Sequence, residues 1–174
     1  MPDATSQTPS PFKERTVRWA EPSRSAADQG ADASGLETVR GIRDGRIPPP
    51  PLVQIMGIEC VLAEHGEVGM RLDHDGSLEN FARTIHGGAV ATMLDTAMGA
   101  AVNTTLDAGA AVVTLDLSVS YLRPARAEDC PLAATGRLVH AGKRNAYAIG
   151  EVRDRQQRLI AHAVGNFTIL GIPT

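Results

Sequence analysis

The chain has 174 residues, with 17 Lys plus Arg against 20 Asp plus Glu and a formal net charge of −3, the length of one ordinary domain with a tail rather than of a two-domain enzyme. That balance supplies no global positive field to draw in nucleic acid or an anionic membrane, so an anionic ligand has to be met by a local site. Cys60 and Cys130 stand far apart without a metal-ligand spacing, and no basic stretch followed by an apolar core opens the chain; the expectation is a reduced, cytoplasmic, metal-free protein.

Residues 1–35 mix Ser, Ala, Asp, Gln and Pro around one basic-aromatic patch from Phe12 to Trp19, a composition that buries no face and predicts a flexible N-terminal arm. Leu36, Val39 and Ile42 recur at helical spacing and predict a short amphipathic helix ending at Asp44-Gly45. Pro48 to Pro51 then form an extended connector, so that 36–51 is a helix-and-connector segment and 52–174 the packed domain. Ile55 to Ala63 and Glu67 to Leu72 flank His65-Gly66 as a hairpin. Asp73 to Glu79 is a polar loop.

Between Thr84 and Leu106 the only ionisable side chains are His86 and Asp95, and a helix apolar all round is a buried helix. Downstream, Leu115, Leu117, Val119 and Tyr121 alternate with Thr114, Asp116, Ser118 and Ser120, the period of a half-buried antiparallel strand. Leu132 to Val139, Ala146 to Val152 and Leu159 to Leu170 follow across short polar turns, giving a four-stranded meander that the earlier hairpin extends. The resulting class is α+β, an antiparallel sheet curled around one long central helix.

Phosphate-loop, dinucleotide, serine-hydrolase and zinc-protease motifs are absent from the sequence. What remains is His86-Gly87-Gly88 at the helix start and Asp95 in its middle. The two glycines cost helix stability, about 1 kcal/mol each relative to Ala, and in return let a backbone or a ligand come close. There the unpaired amide of Gly87 could hold a developing oxyanion at the positive end of the helix dipole. Asp95 cannot cap the helix and sits among Ala91, Thr92, Met98 and Gly99; either a partner satisfies it structurally or, as its small neighbours favour, it is held in a cleft as base or nucleophile. Nine helical steps advance about 13.5 Å and end on the opposite face, so His86 and Asp95 of one helix cannot serve one small reacting group. A two-fold dimer with antiparallel helices would unite them across subunits. Asn80 before the helix, Thr114 on the strand, and the turn residues Arg123, Arg126, Lys143 and Arg144 complete the candidates.

Asn80, then His86-Gly87-Gly88, then Asp95, then the strand Thr114-Leu-Asp-Leu-Ser-Val-Ser-Tyr-Leu-Arg-Pro resemble the PaaI-type acyl-CoA thioesterases of the hot-dog superfamily, over about Pro50 to Leu170. The resemblance implies a hot-dog fold, a homodimer that pairs into a tetramer, and hydrolysis of an acyl-coenzyme A with no cofactor beyond the coenzyme A of the substrate. It makes Asp95 the general base or nucleophile and the Gly87 amide the polariser of the thioester carbonyl. His86 and Asn80 would position thioester or water, and Thr114 would orient water. Gly88, Arg123, Lys143 and Arg144 would contact substrate, the three basic residues at its phosphates. The rival expectations are a hot-dog hydratase or dehydratase, which needs a close Asp-His pair, and a non-catalytic acyl-thioester binder, which needs no Asp95.

Overall fold

The computed structural model describes residues 12–20 and 33–171. The rest of the expected arm, 1–11 and 21–32, and the last three residues lie outside the described residues. Six antiparallel strands form one sheet in the order β1-β2-β4-β5-β6-β3. They are β1 (Ile58–Glu64), β2 (Glu67–Leu72), β3 (Ala111–Tyr121), β4 (Leu132–Ala141), β5 (Asn145–Arg153) and β6 (Leu159–Leu170). The long helix α3 (Gly87–Asn103) lies on the concave face, preceded by the short helices α1 (Gly35–Arg43) and α2 (Pro51–Met56). This is the hot-dog arrangement, an α+β fold.

The expected meander is corrected at its first strand. β3 does not neighbour β4 but crosses to the far edge and pairs along its length with β6, from Ala111↔Leu170 to Tyr121↔Ala161. The physical reason is the connection: Leu122 to Pro131 carries two prolines and a single 3-10 turn, far from a two-residue hairpin that would hold neighbouring strands together. The proline connector is corrected as well. Pro51 opens α2 at its first position, where a missing N–H costs nothing because that amide has no helical partner. Ile55 and Met56 therefore belong to the helix, and Gly57 ends it at φ +71° before β1 begins. A side chain other than glycine is strained at that angle.

α3 is also not buried on all sides in this chain. Ala89, Val90, Met93, Leu94, Ala97, Met98, Ala101 and Val102 are buried against the sheet, while Thr92, Asp95, Thr96, Gly99 and Asn103 form a half-buried stripe on the other side. Burial of side chains such as Met93 and Leu94 stabilises by about 1.5–3 kcal/mol each. The helix can sit so low because Gly136 of β4 has no side chain: a Cβ there would lie 2.3 Å from the backbone of Ala97. Part of the arm is held against this body. Arg15 pairs with Asp75 at 2.6 Å and donates to the Ile55 carbonyl at 2.7 Å, and Gln54 exchanges hydrogen bonds with the backbone of Ala20.

Candidate active site

The loop before α3 delivers the helix start to a fixed place. The Asn80 carboxamide accepts from the amides of Ala82 and Thr84 and donates to the Thr84 hydroxyl. All of these bonds stay within its own loop, so Asn80 here shapes the approach to His86. The His86 amide donates to the Leu78 carbonyl at 2.7 Å and the Ile85 amide to Ala125 at 2.8 Å, which ties the loop to the segment after β3. His86 is the N-cap: its Nδ1 accepts from the Gly88 amide at 2.9 Å. Nδ1 therefore presents its lone pair to that amide, which leaves Nε2 of the exposed side chain as the ring nitrogen that can donate.

The amides of the first turn then sort themselves. Gly88 is committed to His86, while Ala89 and Val90 donate to the His86 carbonyl. The Gly87 amide has no hydrogen-bond partner among the described residues. On its other side the Gly87 carbonyl accepts from the Tyr121 hydroxyl at 2.8 Å. A Cβ on Gly87 would stand 3.3 Å from that ring, which explains the glycine. Tyr121 is the site residue that sequence reasoning missed, since at the end of a clean alternating strand it reads as one more packing position.

Asp95 is half-buried, and its Oδ1 accepts from the Thr114 hydroxyl at 2.8 Å. An irregularity in β3 makes this contact. Thr114 and Tyr121 are an odd number of positions apart and would face opposite sides of a regular strand. A bulge between Thr114 and Asp116 leaves Leu115 unpaired, and so turns Thr114 onto the helix side together with Leu117, Val119 and Tyr121. A cavity of about 660 Å³ opens beside the pair, between α3 and β3 on one side and α1 and α2 on the other.

The remaining candidates fall into two separate places. The Arg123 amide donates to Ile160 at one end of β6, and the Ile169 amide donates to the Arg144 carbonyl at the other. At the usual strand rise those points are about 30 Å apart. Arg123 thus lies on the Gly87 side, in a cleft it shares with Arg126 and Arg155, whereas Lys143 and Arg144 lie toward the end of the sheet where Thr114 and Asp95 sit. No group of three or more His, Cys, Asp or Glu side chains among the described residues is placed to hold a metal. No helix among them is long and apolar enough to cross a membrane.

Residues 82–161 match the model of the thioesterase superfamily. The PaaI protein of the E. coli phenylacetic acid degradation operon is 27% identical, with a TM-score of 0.64 over 69% of this chain and 84% of that one. A conserved Pseudomonas aeruginosa protein is 29% identical, with a TM-score of 0.66 over 70% of this chain and 95% of that one. A Streptococcus mutans protein solved with acetyl-CoA bound is 25% identical, with a TM-score of 0.59 over 66% of this chain and 89% of that one. Among curated proteins there is no match.

Proposed function

We propose, from the premise that the chain is a PaaI-type hot-dog thioesterase, that it hydrolyses an acyl-coenzyme A to the free acid and coenzyme A at a site shared between two copies of the chain. The observation that carries this reading is the Asp95 carboxylate, held at 2.8 Å by Thr114 on the open stripe of α3 and at the wall of a cavity. The coenzyme A ester is supported by the acetyl-CoA bound to the Streptococcus mutans relative. Gly87 of one copy would polarise the thioester carbonyl through its unpartnered amide, with His86 Nε2 beside it. Asp95 of the other would take a proton from water as the water adds to the carbonyl carbon. Collapse of the adduct breaks the C–S bond, and the coenzyme A thiolate leaves and is protonated. Asp95 as direct nucleophile, through a mixed anhydride, uses the same placement.

The free edge of β3 supports the two-fold partner. Its outer side has no strand neighbour among the described residues, and Val113 and Leu115 of that edge strand are exposed. Two antiparallel α3 helices packed through that stripe would set Asp95 of each chain near Gly87 of the other. The same two-fold would bring Arg123 of one chain and Lys143 and Arg144 of its partner to one side, as a shared phosphate-binding rim. Asp95→Asn tests the chemistry. With a panel of acyl-CoAs and a thiol reagent, the wild-type chain should release thiol, and the folded variant should lose on the order of 100-fold or more in rate. Tight acyl-CoA binding by the wild type without thiol release would instead identify a binding protein, and near-normal turnover by the variant would remove Asp95 from the reaction.

A further inference from the structure

We propose that α1, α2 and the proline connector between them form the selective wall of the acyl chamber, and that the substrates are uncharged, apolar acyl groups larger than acetyl. This deepens the acyl-CoA hydrolase reading and rests on it. The chamber starts at Asp95 and Thr114, where the thioester would sit, and runs away from β3 toward Val39 and Ile42 of α1 and Leu52 and Val53 of α2. These wall residues all lie before residue 82, outside the stretch matched to the superfamily.

The wall is built in. The Gly35 amide donates to the Leu106 carbonyl at 2.9 Å, and α1 crosses the end of α3 so closely that a Cβ on Gly35 would stand 1.7 Å from the Asn103 carbonyl oxygen. At its other end the Arg40 guanidinium donates to the Ala63 carbonyl of β1 at 3.1 Å. Size and charge then select the occupant. At about 660 Å³ the cavity offers far more room than an acetyl group fills. No Lys or Arg lines it, and the acidic side chains there are Asp95 and Asp107. A second carboxylate on the acyl group would enter unpaired, next to charges of its own sign.

The test uses the full chain and kcat/KM for acetyl-, butyryl-, hexanoyl-, octanoyl-, phenylacetyl- and succinyl-CoA. Each added methylene should raise kcat/KM roughly fourfold, by the worth of a buried CH₂, until the chamber is full. Succinyl-CoA should fall about 100-fold or more below hexanoyl-CoA. Leu52 is 55% exposed overall, so its substitution spares the core. Leu52→Trp should move the optimum to shorter acyls, and Leu52→Ala should move it to longer ones. Equal rates for succinyl- and hexanoyl-CoA, or folded Leu52 variants with the wild-type chain-length profile, would overturn the assignment of this wall while leaving a thioesterase. Absence of thiol release from every acyl-CoA would overturn the hydrolase reading beneath it.

Discussion

At the residue scale the informative atom is the Gly87 amide, because nothing among the described residues occupies it. His86 has φ −59° and ψ 135°, the extended conformation a residue before proline prefers, and Gly87 opens the helix where proline is tolerated. Gly87→Pro therefore deletes one N–H without breaking α3, while Gly87→Ala adds a Cβ against Tyr121 and keeps the N–H. Steady-state rates should fall at least about 100-fold further in the proline variant than in the alanine one. Equal losses would assign the effect to crowding against Tyr121. Thr114→Val removes the hydroxyl that donates to Asp95 at constant shape. It should lower kcat roughly tenfold, with Thr114→Ser retaining most of it. His86, Gly87 and Asp95 were legible because Gly-Gly and a mid-helix acid are costly choices in an apolar run. Tyr121 was not, because only the packed structure brings its hydroxyl to a helix carbonyl.

At the element scale, α3 and the sheet are set by one close approach and one turn. Gly136→Ala would drive a Cβ to 2.3 Å from the Ala97 backbone. Overpacking of that kind costs about 1–3 kcal/mol or more, and calorimetry should show Tm lower by roughly 5 °C. The turn from β5 to β6 holds the fully buried Asp154, which accepts from the amides of Gln156 and Arg158 and from the Arg158 guanidinium at 2.6 Å. Burial pushes this carboxyl up, but the bonds from Arg158 and Gln156 outweigh it and hold its pKa below the usual Asp value. A folded-state value below the unfolded one means that the ionised group contributes its stability above the unfolded pKa. That contribution is lost as pH falls through the folded value. Urea melts should show wild type losing stability steeply below about pH 4, and Asp154→Asn, already weaker at pH 7, losing less over the same range. The sequence marked this segment only as a polar turn, since nothing in its spelling says that the aspartate faces inward.

At the scale of the whole molecule, the proposed pairing of Gly87 with Asp95 across two copies of the chain has a direct test. Chains carrying Asp95→Asn and chains carrying Gly87→Pro should each be inactive alone. Mixed, unfolded and refolded together, they should recover activity near a quarter of wild type, because half of the random dimers hold one intact site of two. No recovery in refolded mixed dimers would place both groups of the reaction within one chain.

What the sequence determined by itself was periodicity and expense: where strands alternate, where a helix is too apolar to face water freely, and which residues are too costly to be there for packing alone. Those are local properties, and they sufficed for the fold class and for singling out His86, Gly87 and Asp95 as candidates. The tertiary structure decided what depends on non-local pairing. β3 crosses to β6, a single bulge turns Thr114 toward Asp95, and a proline-started helix lines the cavity beside that pair. None of these could be read locally, because strand partnership and chain crossing depend on which distant backbones have open hydrogen bonds and space to meet.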